Sequence, residues 1–411
     1  MTSQAPATPW RNRIVGSGEE APDQLVANPA NWRTHPPEQQ RALAGALGEV
    51  GWVAQVMVNA TSGHIIDGHL RVELALARHE ATVPVTYVEL SEQEERLVLA
   101  TFDPLAAMAF AENDALAALL TDLSVEDSGL AALLADLEGQ LPKAGLTDPD
   151  EAPAVPDAAD VWVKPGQLYR LGDHRLLCGD ATRIENVERL TDGAEAQAMW
   201  TDPPYGVGYV GKTAAALTIE NDTGDQGPAV FAAACRIAPL AQSAPFYVTV
   251  PAGPRQLDFL LAVRDVGWRL HQELVWVKNS IVLGHSDYHY RHEPIFYGYT
   301  PGPGRPGRGA HPGSRWYGDN SASSVLEYDK PLRNSEHPTM KPVGLVAECL
   351  SNSTKPGDLV YEPFAGSGST LIAAEQLHRR CYAMEIDRRY AQVTIERWQG
   401  FSGHAAERID G

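Results

Sequence analysis

Apolar residues in the first part of the chain alternate between helical and strand spacing. Between residues 39 and 50 they recur at steps of three and four, which predicts an amphipathic helix, and residues 70–77 repeat this pattern. Ser91 and Glu94 form a capping box that predicts the start of another helix. Short runs rich in β-branched residues predict strands at 53–59, 64–67 and 83–90. The alternation predicts a small α/β unit.

The composition changes on both sides of this unit. Residues 1–24 are polar and are predicted to fray at their start. Residues 112–138, rich in Ala and Leu, predict one or two trailing helices. Residues 139–160 combine four prolines with several aspartates and almost no large apolar side chain, which predicts an extended, flexible linker. We therefore expect a first domain over 1–138 and a second over 161–411.

The second domain again alternates strands with helices. Short apolar runs bounded by turn residues predict strands at 168–171, 175–178, 198–201, 245–250, 274–277, 359–362 and 381–385. Gly172 and Asp173, between the first two runs, are a strong hairpin signal. The predicted fold class is therefore α/β in both domains.

The charge of the chain argues against a nucleic-acid partner until it is located along the sequence. The net charge is −20, but residues 1–159 carry −16 of it and the remainder only −4. The second domain can therefore carry a local basic face. Residues 299–316 form a Gly- and Pro-rich segment with Arg305, Arg308 and Arg315 and no acidic residue.

Other sequence features limit the expected cellular location of the protein and the metal sites that it could contain. No apolar run is long enough to cross a bilayer, and the chain start lacks the apolar core of a signal peptide. The scattered cysteines, with no CxxC pair, indicate neither a disulfide framework nor a cysteine zinc site, so a cytoplasmic protein is expected. His285, His289 and His292 have helical spacing, but their neighbours favour a strand, and no metal site is predicted.

The first candidate site is residues 201–205, with the sequence TDPPY, directly after a predicted strand. Two consecutive prolines hold the backbone rigid and extended. The Asp202 carboxylate and the Pro203 carbonyl can accept the two hydrogens of an exocyclic amino group, with Pro204 stiffening the turn and Tyr205 stacking on the ring. Such a clamp would aim the nitrogen lone pair by positioning alone. An ordinary strand-ending turn is the alternative.

The second candidate site is residues 362–370, with the sequence EPFAGSGST, between a predicted strand and a helix. Small residues admit a ligand close to the backbone, and the helix N-terminus offers free N–H groups. The segment lacks the GxGxxG spacing and the Lys of a phosphate loop. The next strand ends at Glu385, an acid placed to hold a ribose diol.

Together these segments resemble the beta subclass of S-adenosylmethionine-dependent DNA amino-methyltransferases, in which DPPY precedes the Gly-rich turn. Two further segments match: residues 337–342 (HPTMKP) resemble the HPTxKP segment of that subclass, and residues 177–181 (LCGDA) resemble its adenine-contacting strand end. The resemblance covers residues 161–400. It implies a Rossmann-like methyltransferase sheet with permuted motif order.

The resemblance also implies site roles. The cofactor would be S-adenosylmethionine, lined by Phe364, Gly366, Gly368, Glu385, Asp180 and Ala181, and closed in by Thr339 and Lys341. Asp202, Pro203, Pro204 and Tyr205 would hold a base flipped out of double-stranded DNA. An Asp at the first clamp position goes more often with adenine N6 in this subclass, and N4 of cytosine is the alternative. A glutamine amide in a protein or a base in RNA is a further alternative.

The basic segment lies where this subclass carries its target-recognition insert, here near residues 284–335. Arg305, Arg308 and Arg315 are therefore candidates for DNA contact, with a solvated loop as the alternative. Subclass members are often homodimers, and a homodimer is an expectation here too.

The N-terminal unit has its own likeness. Residues 28–33 (NPANWR) and 66–71 (IDGHLR) resemble the ParB/sulfiredoxin-like fold, in which the turn opens a helix. Gly68, His69 and Arg71 could receive a phosphate, for instance from CTP, or they could merely brace the fold. The fusion resembles phage and prophage methylases, and a ParB-like nucleotide-gated DNA-binding protein with a vestigial methylase domain is the alternative of another class.

Overall fold

The computed structural model describes residues 10–106, 113–121, 123–205, 226–281, 287–302, 315–318, 322–329 and 340–409. The chain divides into two compact units, Met1–Leu141 and Pro142–Gly411. Each unit has its own sheet.

The first unit is a small α/β unit. Its described strands are β1 (Ile14–Glu20), β2 (Val56–Asn59), β3 (Ile65–Asp67) and β4 (Val83–Val88), in the sheet order β1-β4-β2-β3. Its described helices are α1 (Pro37–Glu49), α2 (His69–Arg78), α3 (Glu92–Ala106), α4 (Asn113–Leu120) and α5 (Ser128–Gln140), with a short 3-10 helix at Pro22–Gln24. The helices and strands predicted here are confirmed, with ends shifted by a few residues.

Local chemistry explains where two of these helices begin. The Ser91 backbone N–H donates to the Glu94 carboxylate at 2.9 Å, which confirms the capping box at the start of α3. Gly68 has φ 98°, a left-handed conformation that lets the chain turn sharply from β3 into α2. The valines of β2, Val83 and Val85 of β4 and Ile65 of β3 pack with Val72 and Ala75 of α2 to form the core.

Strand β1 is a difference from the sequence prediction, because it lies within the polar residues 1–24. It pairs antiparallel with β4, from Ile14 opposite Val88 to Glu20 opposite Val83. Its residues are mostly exposed and show no apolar alternation. Backbone hydrogen bonds to β4 therefore hold this edge strand, and its own side-chain pattern does not reveal it.

The second unit contains a ten-stranded sheet in the described residues. Its strands are β5 (Leu168–Leu171), β6 (His174–Cys178), β7 (Ala198–Thr201), β8 (Pro245–Thr249), β9 (Arg269–Val277), β10 (His292–Tyr299), β11 (Val325–Glu327), β12 (Leu359–Glu362), β13 (Arg380–Glu385) and β14 (Glu407–Arg408). They run in the order β11-β9-β10-β8-β7-β12-β13-β6-β5-β14. The central strands β8, β7, β12, β13 and β6 are parallel, and β10 lies antiparallel between β8 and β9.

Helices cover both faces of this sheet. They are α6 (Ile184–Thr191), α7 (Gly227–Arg236), α8 (Gln256–Asp265), α9 (Val343–Ser353), α10 (Ser369–Gln376) and α11 (Arg388–Ser402). One hydrophobic core contains side chains of α9, α10 and α11, and the other contains side chains of α6, α7 and α8. The fold is thus a three-layer α/β sandwich, and the predicted Rossmann-like α/β sheet is confirmed.

The order of strands brings distant segments to one edge. In parallel α/β sheets, ligands bind outside the carboxyl ends of the strands, where the strand order reverses. The TDPPY segment follows β7, the Gly-rich turn follows β12 and Glu385 ends β13, so all three lie at the carboxyl ends of adjacent parallel strands.

The segment predicted as a flexible linker is instead hydrogen-bonded to the second unit at several points. The Leu146 N–H donates to the carbonyl of Phe401 at 2.8 Å, and Asp150 accepts the N–H of Val343, the first residue of α9, at 2.8 Å. Buried Arg397 of α11 donates to the carbonyl of Pro149 at 2.6 Å. Asp150 and the Leu146 N–H thus satisfy open ends of α9 and α11, which the composition of the segment alone does not show.

Glu362 ties the ends of β7 and β12 together. Its side chain is 2% exposed and accepts hydrogen bonds from the Thr201 hydroxyl, the Phe364 N–H at 2.9 Å and the Thr370 hydroxyl at 2.7 Å. Burial raises the pKa of Glu362 to about 8, and the nearby Asp202 charge adds to this rise. The carboxyl group is therefore protonated at neutral pH in the folded protein.

The hydrogen bond from Val343 at the start of α9 to Asp150 should contribute measurably to the stability of the fold. We expect Asp150→Ala to lower the free energy of unfolding by about 1 kcal/mol, because the Val343 N–H then lacks its side-chain acceptor. Urea unfolding measures the change. The exposed Asp157 lies in the same segment, and Asp157→Ala should stay within about 0.5 kcal/mol of the parent. Equal effects of the two substitutions would contradict the capping role.

The raised pKa of Glu362 predicts a pH-dependent stability. A carboxyl group whose pKa is higher in the folded state stabilises the fold at low pH, and this contribution is lost as the pH rises. Between pH 5 and 8 the free energy of unfolding of Glu362→Gln should therefore fall less steeply than that of the parent, by about 1 kcal/mol per pH unit. Urea unfolding across this range tests it. Glu327→Gln, at an exposed site, should follow the parent, and parallel curves for all three would refute the prediction.

Candidate active site

The Asp202 side chain is the centre of a hydrogen-bond cluster at the end of β7. One carboxylate oxygen accepts the Tyr205 hydroxyl at 2.9 Å and the hydroxyl of Thr249, which ends the neighbouring strand β8. The other oxygen accepts the Lys341 ammonium at 2.6 Å. A carboxylate has about four lone-pair sites, so one site remains for a further donor.

Lys341 lies against Asp202. The sequence resemblance implied that this lysine closes a cofactor pocket. Its side chain is almost fully buried, and its ammonium also lies 3.3 Å from Glu293 of β10. Burial lowers the pKa of Lys341, but Asp202 and Glu293 outweigh this effect and raise the pKa above its ordinary value. The lysine is therefore a permanent cation beside the acid of the TDPPY segment.

Tyr205 is held from several sides. Its ring meets the edge of Phe259 at 6.0 Å between centroids, and the Lys341 ammonium lies 5.7 Å from the ring centroid. Arg255 donates to its backbone carbonyl at 3.0 Å. Burial, followed by the Asp202 charge, raises the pKa of Tyr205 well above 10, so the phenol stays neutral and donates to Asp202. Pro203 is buried and Pro204 half-buried, which leaves the segment rigid.

The Gly-rich turn after β12 is open at one glycine and tight at the other. Gly366 has φ 53° and a side chain there would meet no atom within 4 Å, whereas at Gly368, with φ 85°, it would meet Thr394 at 2.7 Å. Ser369 begins α10 and donates its hydroxyl to the carbonyl of Lys341 at 2.9 Å. The turn therefore contacts the lysine segment directly and leaves space beside Gly366.

Glu385 and Asp180 lie at the ends of the next two strands. Glu385 accepts the Gly366 N–H at 2.7 Å, and its backbone carbonyl accepts the Gly179 N–H at 2.8 Å. Burial raises the pKa of Glu385 to about 7. Asp180 accepts both the N–H and the hydroxyl of Thr182 and keeps a partly exposed carboxylate. The two predicted acids therefore lie at the carboxyl ends of the adjacent parallel strands β13 and β6.

Other predicted residues are placed less completely. Phe364 and Ala181 lie beside the turn and the β6 end, half-buried and buried respectively. Arg315 is half-buried, whereas Thr339, Arg305, Arg308 and His285 lie outside the described residues, as does much of the insert predicted near 284–335. His292 begins strand β10, which confirms the strand interpretation of that segment over a helical one.

Three residues of the site were not predicted from the sequence. They are Thr249, Lys278 and Glu293. Thr249 was detectable as a polar residue at the carboxyl end of an apolar strand. Lys278 and Glu293 carry no local signal, because the pairing of β9 with β10 brings them together and only the tertiary fold sets Glu293 beside Lys341.

The residues of the predicted phosphate-type turn make hydrogen bonds within the first unit. Arg71 donates to Asp67 at 2.7 Å, and buried His69 accepts the Asn28 N–H at 3.3 Å. Burial, with the nearby Arg33 charge, lowers the pKa of His69, so this imidazole is neutral at pH 7. These contacts fit the bracing alternative. The nucleotide ligand stays a prediction.

No helix in the described part of the chain is long and apolar enough to cross a membrane. In those same residues there is no group of three or more His, Cys, Asp or Glu side chains arranged to hold a metal ion.

The chain is similar to known proteins in family, sequence and structure. The DNA methylase model of the N6/N4 methyltransferases matches residues 196–396. M.Cfr9I of Citrobacter freundii, a type II methyltransferase, is 29% identical over 161 residues, and the chain spans about half the length of that relative.

Solved structures give more distant likenesses. TTHA0409 of Thermus thermophilus, named as a DNA modification methylase and complexed with S-adenosyl-L-methionine, is 23% identical, with a TM-score of 0.40 over 55% of this chain and 93% of that one. ParB of Caulobacter crescentus, complexed with CTP-gamma-S, is 23% identical, with a TM-score of 0.22 over 26% of this chain and 64% of that one.

One relative is matched along most of its length. YubD of Escherichia coli (strain K12), whose name describes it as a methylase, is 30% identical over 230 residues, which are 54% of this chain and 89% of that protein. With this coverage and the match to the family model, the chain belongs to the N6/N4 DNA methylase family.

Proposed function

We propose that this protein transfers a methyl group from S-adenosylmethionine to the exocyclic amino group of a base in double-stranded DNA, and that the base is adenine, modified at N6. The observation that carries the proposal is a cluster of hydrogen bonds. Asp202 accepts hydrogen bonds from Tyr205, Thr249 and Lys341 at the edge of the sheet that also carries the Gly-rich turn. N4 of cytosine is the alternative acceptor, since both bases present an exocyclic NH2.

The residues of the turn fit the cofactor. The space beside Gly366 and the free N–H groups of the first turn of α10 suit an amino-acid carboxylate, and Glu385 retains lone pairs for ribose hydroxyls. Asp180 at the adjacent strand end suits the adenine. When bound, S-adenosylmethionine supplies an electrophilic methyl group on a sulfonium centre.

The clamp residues account for the chemistry on the acceptor side. A target base must leave the duplex to reach a site at the sheet edge. Asp202 then accepts one hydrogen of the amino group, the Pro203 carbonyl accepts the other, and the Tyr205 ring contacts the face of the base. Because three donors already fix the Asp202 carboxylate, its free lone pair keeps one direction, and the nitrogen lone pair is aimed without rearrangement.

The aspartate supports adenine over cytosine. In the subclass that the sequence resembles, an aspartate at the first clamp position goes more often with adenine. The basic segment with Arg305, Arg308 and Arg315 supports a DNA partner, since arginines bind phosphate and guanine edges. A homodimer is a further expectation.

Mapping of modified bases tests the proposal directly. Expression in a host without adenine methylation, followed by single-molecule sequencing of its DNA, should reveal N6-methyladenine within a recurring sequence. A recurring N4-methylcytosine would replace the base assignment and leave the enzyme class intact. Unmodified DNA, together with no transfer from labelled S-adenosylmethionine by the purified protein, would refute the function.

Removal of the Asp202 charge should separate transfer from cofactor binding. We expect Asp202→Asn to lower kcat by about 100-fold, the usual effect of losing one preorganised hydrogen-bond partner. Calorimetry should give a cofactor Kd within about threefold of the parent, because Asp202 lies on the acceptor side. Asp265→Asn, at an exposed site on α8, is the matched control and should retain full activity. A parent-like kcat in Asp202→Asn would remove this carboxylate from the mechanism.

A further inference from the structure

Four charged side chains of alternating sign form a row that starts at the clamp. Asp202 pairs with Lys341 at 2.6 Å, Lys341 lies 3.3 Å from Glu293, and Glu293 pairs with Lys278. These residues come from the end of β7, the segment before α9, the start of β10 and the end of β9. We call them the charge row. They approach one another only in the folded sheet.

The two lysines of the charge row are buried, and its two carboxylates are half-buried. Lys341 and Lys278 are 5% and 6% exposed, and the Lys278 ammonium also lies 4.9 Å from the centroid of the Trp276 ring. Taking charges out of water is costly, and well-packed apolar residues often stabilise a protein as much as a buried ion pair does. Fold stability alone therefore gives little reason for two lysines and two acids here, next to the proposed reacting base.

The proposed methyl transfer moves a positive charge toward Asp202. The lone pair of the amino nitrogen forms the new N–C bond, the electron pair of the breaking S–C bond stays on sulfur, and the nitrogen becomes cationic before one N–H proton leaves to bulk water. Asp202 favours this charge. Lys341 alone would neutralise Asp202 and oppose the new cation, since two like charges repel at this range.

Glu293 offsets this opposition. Its carboxylate lies beside both lysines, so it shares the Lys341 ammonium with Asp202 and balances its charge. We infer that Glu293 is a positioning residue for methyl transfer. It holds Lys341 and balances its charge, so that Asp202 still attracts the cationic nitrogen and stays directed toward the amino group. Lys278 acts only through Glu293. This inference rests on the proposed function.

The kinetic test is Glu293→Gln in the full-length protein, which keeps the shape of the side chain and removes its charge. We expect kcat to fall about tenfold or more, with the cofactor Kd and the KM for DNA within about threefold of the parent. Glu273→Gln on neighbouring β9, an exposed position outside the row, is the matched control and should behave as the parent. Circular dichroism and cofactor calorimetry verify that each variant is folded.

A double-mutant cycle tests whether Lys278 acts only through Glu293. Lys278→Gln should lower kcat by about threefold, and Lys278→Gln combined with Glu293→Gln should match Glu293→Gln alone within about twofold, because Lys278 then has no carboxylate to act through. Additive losses of kcat in the double variant would show that Lys278 acts independently of Glu293 and would overturn this part of the inference.

A pH profile separates positioning from a merely structural role. The charged and titratable groups that face Lys341 are Asp202, Glu293 and the ring of Tyr205, with Lys278 behind Glu293. Loss of one carboxylate lowers the Lys341 pKa, so the alkaline limb of kcat should move to lower pH in Glu293→Gln. A profile that keeps the parent position would contradict the inference.

The outcomes distinguish a failure of this inference from a failure of the proposed function. If the parent and Glu273→Gln methylate DNA and Glu293→Gln matches them in kcat and pH profile, the charge row is overturned while the proposed function stands. If the parent itself transfers no methyl group, both are overturned, because the role of the row is defined by that reaction.

Discussion

The ion pair between Asp202 and Lys341 is the contact on which the site depends. It joins the end of β7 to the segment before α9, and the backbone of the same lysine accepts the hydroxyl of Ser369 in the Gly-rich turn. The proposed acceptor side and the proposed cofactor side of the site are therefore linked through one residue. A shift of Lys341 would disturb both sides at once.

Buried carboxyl groups surround this contact, and the protein accommodates each in a different way. Glu362 is surrounded by hydroxyl and N–H donors but by no cation among the described residues, and burial keeps it protonated at neutral pH. Burial also raises the pKa of Glu293, but Lys341 and Lys278 outweigh it and lower that pKa below its ordinary value. Glu362, contacted only by neutral donors among the described residues, therefore stays neutral, whereas Glu293, beside two lysines, is ionised.

The permuted order of motifs is resolved by the topology of the sheet. The Gly-rich turn follows β12, late in the chain, yet β12 inserts between β7 and β13 and so reaches the TDPPY segment. The packed segment after Pro142 adds to this arrangement, since it binds α9 through Asp150 and α11 through Arg397. The segment after Pro142 thus helps to hold α9 and α11 in place.

The sequence by itself determined the features that depend on neighbours along the chain. The capping box at Ser91, the hairpin at Gly172 and the TDPPY segment are all set within a few residues, so the sequence pattern predicts them. The family resemblance extended this to the acids at the strand ends, whose proposed ligand roles stay predictions.

The tertiary structure decided what depends on partners far apart in sequence. Strand β1 exists because β4 pairs with it, and the segment after Pro142 is ordered because helices in the later part of the chain have open ends. Lys341 reaches Asp202 across 139 positions. Such contacts leave no local pattern, because their energy arises only when the sheet has brought its strand ends together.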